Sequence, residues 1–233
     1  SDLFKICTYS MVLVNVIILL CIVLTLYICL ILQNEPFLDK MSKEPTISID
    51  INGRQCHDSV RMLYNLCDVS KPKIYCEIGV HNGTSMSYAA SNKNVKKCIG
   101  IDLFEDTVGH YKKDNLTLNN SLQNVNNNKL RNGNHECNIT LIKGDSTHDT
   151  TRKKLADELN GESIDILFID GDHSYEGVRS DFENYKSYVN GYVVFDDYNK
   201  KWPGVVQFVD ELVKSGSVES IGLVHDNEYI IKI

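Results

Sequence analysis

Four aspartates follow two apolar runs. Ile164-Asp165-Ile166-Leu167-Phe168-Ile169 leads into Asp170-Gly171-Asp172-His173-Ser174-Tyr175-Glu176, and Gly191-Tyr192-Val193-Val194-Phe195 leads into Asp196-Asp197-Tyr198. Runs of this length read as buried strands, and ligands of an open α/β sheet collect at the C-terminal edge of its strands. Asp170, Asp172, Asp196 and Asp197 can therefore converge on one point. Carboxylates held that close repel one another and raise one another's pKa unless a cation compensates. Hard oxygen donors with no Cys or His set favour Mg2+, with Mn2+ or Ca2+ as alternatives. Such a cation lowers the pKa of a bound hydroxyl and orients it, while a neighbouring carboxylate takes the proton. Two plainer roles stand beside this one: Asp172 or Ser174 suits the cap of a helix starting near Tyr175, and Asp196-Asp197 suits a solvated turn. His173 reads as a supporting or capping residue and is given no catalytic role. Tyr198 and Trp202 either line an acceptor pocket or pack before Pro203-Gly204.

A second constellation lies upstream. The strand-like Ile74-Tyr75-Cys76-Glu77-Ile78 runs into Gly79-Val80-His81-Asn82-Gly83-Thr84-Ser85 and a helix-compatible stretch from Met86 to Ser91. Glycines in such a turn permit unusual backbone angles and close ligand approach. The spacing is not the GxGxxG of a dinucleotide loop, so no tight wrap around a pyrophosphate is expected, and a phosphate-free ligand fits better. That spacing also argues against a nucleotide-sugar or NAD enzyme on a similar fold, which the fold alone could not exclude. Asp102 ends the next strand, where its carboxylate can accept from both ribose hydroxyls of a nucleoside. Asp145, within Lys143-Gly144-Asp145-Ser146, ends the third strand and can reach an adenine amino group.

Taken together, ExGxxxG at Glu77–Gly83, Asp102, and GDS at Gly144–Ser146 resemble the cofactor motifs of class I S-adenosylmethionine-dependent methyltransferases. The resemblance implies a seven-stranded Rossmann-like sheet ordered 3-2-1-4-5-7-6 with the last strand antiparallel. It also implies a cofactor set of Glu77, Gly79, Gly83, Ser85, Asp102, Asp145, Ser146 and Asp170, with Glu77 near the methionine part. Asp165 to Asp197, with Tyr175, Val178 and Asp181 between, is further similar to the metal-dependent macrocin and aminocoumarin sugar O-methyltransferases. That group implies Asp170, Asp196 and Asp197 as metal ligands and Asp172 as general base. The expected acceptor is a hydroxyl of a sugar, glycan or related small molecule. Compared with that group, the stretch preceding the first core strand is short, which points to an open acceptor site. Two alternatives remain: a metal-independent small-molecule methyltransferase, and a catalytically silent cofactor-binding module that docks a partner at a membrane.

The elements that must position these residues are an α/β alternation. Expected strands are Ile74–Ile78, Cys98–Asp102, Ile139–Ile142, Ile164–Ile169, Tyr192–Phe195, Val218–Leu223 and Tyr229–Ile233, with a helix over Asp58–Cys67. The stretch from Asp114 to Asn138, dense in Asn and without a firm apolar face, reads as a loop after a helix of uncertain length. Upstream, residues 11–32 carry no charge, long enough at ~1.5 Å per residue to cross a ~30 Å hydrocarbon core, and are expected to be a transmembrane helix. The expected organisation is an N-terminal segment 1–10, this helix, a linker 33–52 and a methyltransferase domain 53–233. The protein would then be a single-pass membrane protein. Basic residues flank the helix on both sides and leave its orientation open, while Cys76 and Cys98, read as reduced core residues, favour the cytosolic face. Sequons at Asn82, Asn115, Asn119 and Asn138 speak for a lumenal side, although a glycan on Asn82 would block the cofactor loop. A net charge of −7 and pI near 5.5, with no basic patch, argue against nucleic acid as a partner. Homo-oligomerisation is left open.

Overall fold

The computed structural model describes residues 2–43, 47–51, 54–56, 59–105 and 117–233. The chain divides into two units, residues 1–40 and 41–233. The first consists of nearly all of α1 (Asp2–Met41). Here the transmembrane expectation is corrected: among the described residues, no helix is long and apolar enough to cross a membrane. The single-pass membrane placement, and the side favoured for it, fall with the span.

The second unit opens with a hairpin, β1 (Ile49–Ile51) and β2 (Arg54–Cys56), followed by a 3-10 turn at Ser59–Arg61 and α2 (Met62–Ser70). Asp58, where the first helix was expected to begin, lies outside the described residues. There follow β3 (Ile74–Ile78), α3 (Thr84–Ser91), β4 (Lys97–Asp102), α4 (Leu118–Arg131), β5 (Asn138–Lys143), α5 (Asp149–Leu159), β6 (Ile164–Ile169) and α6 (Tyr175–Tyr185). The chain then closes with β7 (Val189–Phe195), α7 (Pro203–Lys214), β8 (Glu219–Val224) and β9 (Glu228–Lys232).

One sheet runs β5-β4-β3-β6-β7-β9-β8, parallel from β5 to β7 and antiparallel at β7–β9 and β9–β8. Counted from β3, this is the expected order 3-2-1-4-5-7-6. Strand alternation places Ile74, Cys76 and Ile78 of β3 in one core with Leu155 of α5, Phe182 of α6 and Phe208 of α7. Tyr75 and Glu77, on the opposite face, are equally buried, with α3 against them. Phe182, Phe195 and Phe208 meet in tilted and edge-on pairs at 5.7–6.1 Å, worth about 0.5–1.5 kcal/mol a pair beyond area burial. Cys67, Cys76, Cys98 and Cys137 are buried and unbridged.

The Asn-rich stretch contains α4 where a loop was expected. Thr117 caps it by accepting from the Asn120 N–H at 3.2 Å. Asn124, Asn128 and Asn132 recur every fourth residue and form a polar face that the fold uses. The Asn124 amide donates to the Asn82 carbonyl at 3.0 Å. Asn128 exchanges two hydrogen bonds of 2.9 Å with the Asp50 backbone of β1. Asn132 donates to Ser91 Oγ at 3.2 Å. Each amide meets backbone or hydroxyl groups of a neighbouring segment.

Candidate active site

The strand pairing extends one residue past several strands at the C-terminal edge. Gly79 N donates to Ile101 O, Asp170 N to Ile78 O, and Asp196 N to Ile169 O, at 2.8–3.0 Å. Asp170 and Asp196 thus leave adjacent strands at the same level, because Ile169 is in register with Phe195. Asp197 then takes a left-handed conformation (φ 57°), which Asp tolerates better than most residues. The ligand atoms of Asp170, His173 and Asp197 lie within 4.8 Å of one another. His173 Nε2 sits 3.0 Å from Asp170 Oδ1 and 3.4 Å from Asp197 Oδ2. Asp170 and Asp197 keep 27% and 26% of their side chains exposed, so the cluster is open to a ligand. Asp196 is more enclosed, 9% exposed.

The electrostatics of this edge are those of crowded acids. Burial, then the charges of Asp170, Glu228 and Asp197, pushes Asp196 up to about 9. Asp170 is raised well above the usual carboxylate range, first by desolvation and then by Glu77 and Asp197. Negative charge held this close is relieved by a divalent cation. Two carboxylates and an imidazole could hold one, while Asp196, expected as a third ligand, is not in that group, and the imidazole widens the choice from Mg2+ towards Mn2+. His173 is the residue to which sequence reading gave only a supporting or capping role. Its place depends on Asp197 arriving from another strand, and the only local signal was its i, i+3 spacing from Asp170. Trp202 lies against the imidazole at 4.5 Å, and Lys201 Nζ stands 5.1 Å from the Trp202 ring centre.

Asp172 is not among the atoms that converge. It is exposed, and its two oxygens accept from the N–H and O–H of Ser174, both at 2.9 Å. Ser174 in turn caps α6 by accepting from Gly177 N at 3.0 Å. A Cβ on Gly177 would stand 2.5 Å from Asp172 Cβ, so the first turn of α6 closes tightly over this side chain.

The residues expected at a cofactor surround the loop after β3. Gly79 (φ 92°) passes so close to β6 that a Cβ there would meet Asp170 O at 1.9 Å. Gly83 (φ 83°) abuts α4, where a Cβ would meet Val125 Cγ2 at 2.7 Å. Both positions therefore demand glycine twice over, by backbone angle and by space. Glu77 is fully buried and accepts from Ser85 Oγ and, at 2.6 Å, from Tyr75 OH. Burial raises it to about 8, against the lowering effect of those two hydroxyls. Asp102 accepts from His81 N at 2.8 Å and Phe104 N at 2.6 Å, fixing the loop at the end of β4. Asp145 accepts from the N–H and O–H of Thr147, which holds it below the usual carboxylate range. Ser146 Oγ donates to Asp181 Oδ1 at 2.6 Å. Asn82 Oδ1 accepts from Thr84 N and Oγ at 3.1 and 2.7 Å, so this sequon side chain is engaged in the turn. Residues 106–116, which include the sequon at Asn115, lie outside the described residues.

Comparison with known proteins agrees with this layout. A family model described as a methyltransferase domain matches residues 76–198, more than half of the chain. An uncharacterised protein of Acanthamoeba polyphaga mimivirus is 35% identical over 189 residues, covering 78% of this chain and 79% of that one. Among solved structures, an apo TDP-rhamnose 3'-O-methyltransferase of calicheamicin biosynthesis superposes with a TM-score of 0.53 at 16% identity, over 74% of this chain and 78% of the other. An O-methyltransferase from Bacillus cereus in complex with S-adenosylhomocysteine gives 0.55 at 12% identity, over 88% and 90%. At these identities the two structures speak for the fold.

Proposed function

This chain belongs to the methyltransferase-domain family as a class I S-adenosylmethionine-dependent methyltransferase, and on that premise we propose that it methylates a hydroxyl group with the help of a divalent cation. The observation that carries the reading is the convergence of Asp170, His173 and Asp197 on one point, with Asp196 leaving the adjacent strand at the level of Asp170. Bound S-adenosylmethionine supplies an electrophilic methyl group, and a bound Mg2+ or Mn2+ acidifies the acceptor hydroxyl.

The chain's own residues divide the remaining work. Asp170, Asp196 and Asp197 would hold the cation, with His173 as a further donor beside them. Asp172, exposed next to this cluster, accepts the proton leaving the acceptor oxygen, since each of its oxygens keeps a lone pair after serving Ser174. Glu77, Gly79, Gly83 and Ser85 shape the loop that receives the methionine end. Asp102 would accept from the ribose hydroxyls, and Asp145 and Ser146 would serve the nucleobase end. The acceptor class we favour is a hydroxyl of a sugar, glycan or related small molecule, supported by the TDP-rhamnose methyltransferase among the similar structures. Transfer of labelled methyl to a panel of sugars and phenols by the full chain, lost with a chelator and restored by Mg2+ or Mn2+, tests the reading. Turnover indifferent to the chelator removes the cation from it.

A further inference from the structure

The last hairpin of the sheet reaches back to the acid pair. Val224 of β8 pairs with Glu228 of β9, so the connecting residues are His225, Asp226 and Asn227. His225 (φ 53°) and Asp226 (φ 55°) are both left-handed, and Asn227 N donates to Val224 O at 3.1 Å, the geometry of a type I′ turn. This turn delivers Asn227 to the C-terminal end of β7. There its side-chain Nδ2 donates to Asp196 Oδ1 at 2.8 Å and lies 3.3 Å from Glu228 Oε1. Its Oδ1 accepts from Asn199 Nδ2 at 2.7 Å, and that same Nδ2 lies 3.3 Å from Asp197 Oδ1. Its backbone carbonyl accepts from Tyr198 N at 2.7 Å. One residue therefore touches Asp196 directly, Asp197 through Asn199, and the backbone immediately after them.

We propose that Asn227 is a positioning residue that holds Asp196 and Asp197 in the arrangement a divalent cation requires. The proposal rests on the cation reading given above. Its physical basis is the amide's double character: it donates to one carboxylate and accepts from the relay that reaches the other, without adding charge. Binding Asp196 through Oδ1 restrains the rotation of that carboxylate and leaves its other oxygen unengaged by Asn227. Partners that orient metal-ligating side chains typically contribute about 10–100-fold to metal affinity.

The full chain is titrated with Mn2+, following loss of the free-ion electron paramagnetic resonance signal, as wild type, Asn227→Ala and Asn227→Asp. Affinity for S-adenosylhomocysteine and thermal unfolding are measured alongside. Asn227→Asp is the discriminating variant because it keeps the shape and, when ionised, adds a negative charge and cannot donate. If only acidic charge mattered it would bind Mn2+ more tightly; as a positioning residue, its replacement by Asp or Ala weakens Mn2+ roughly tenfold or more, with S-adenosylhomocysteine affinity unchanged. Wild-type or tighter Mn2+ binding by folded Asn227→Asp overturns the proposal, as does wild-type binding by Asn227→Ala. If the wild-type chain itself binds no Mn2+, the cation reading fails first and this proposal fails with it.

Discussion

Gly79 joins the cofactor loop to the acid cluster, and replacing it by alanine measures how tightly. Two costs add in Gly79→Ala. The backbone sits at φ 92°, where an L side chain is strained by about 1–2 kcal/mol. The new Cβ would also stand 1.9 Å from Asp170 O and 2.5 Å from its carbonyl carbon. Because those atoms are backbone, no rotamer change relieves the overlap, and displacement of the strand end costs about another 1–3 kcal/mol. The sum is roughly 2–5 kcal/mol, or ~4–20 °C in melting temperature for a domain of this size. Gly161→Ala is the control, with nearly the same backbone angle (φ 84°) and nothing within 4 Å of its Cβ position. It carries only the first cost, about 1–2 kcal/mol. Chemical denaturation of both variants reads the difference. Mn2+ titration adds a second readout, since only Gly79→Ala pushes on Asp170. Equal destabilisation by the two substitutions, with equal metal affinity, would refute the claim that contact with Asp170 defines this position.

Two further predictions follow from the same geometry. Glu77 titrates near 8 in the folded chain, raised by burial, against an ordinary value near 4.5. The folded state therefore keeps a proton that the unfolded chain has lost, and stability falls as pH rises from about 4.5 to about 8, by an order-of-magnitude upper bound of ~5 kcal/mol. Glu77→Gln removes this group's share, so its denaturation midpoint varies less between pH 5.5 and 8; an unchanged slope contradicts the assignment. Asp172→Asn retains S-adenosylhomocysteine binding and lowers methyl transfer by about 100-fold or more, the usual contribution of a general base; near-normal transfer leaves Asp172 with only its contact to Ser174.

The sheet was legible because its central strands are short apolar runs buried on both faces, and the acids that follow Ile169 and Phe195 announce their strand ends. The helix α4 was not. Its inward face is built from amides, so hydropathy registers no stripe although Asn124, Asn128 and Asn132 keep helical spacing. Their burial is favourable only because the Asp50 and Asn82 backbones and the Ser91 hydroxyl meet them, which is information held by distant segments. His173 and Asn227 escaped for the same reason: each becomes meaningful only when Asp196-Asp197 arrives beside it. Asp102 ends β4 as expected and Asp145 falls two residues past β5, yet their oxygens also serve local turns, a use that motif spacing does not reveal. The uncharged run over residues 11–32 misled in another way, because composition was read as a span that no described helix provides.

The central claim is cation-assisted methyl transfer to oxygen. The most direct measurement supplies the full chain with methyl-labelled S-adenosylmethionine and the hydroxyl acceptor panel, and compares chelated protein with protein restored by Mg2+ or Mn2+. The account predicts an O-methylated product, formed only with the cation present, and little product from chelated protein that still binds S-adenosylhomocysteine. Label arriving on nitrogen, carbon or a carboxylate, or on oxygen at the same rate under chelation, would contradict it.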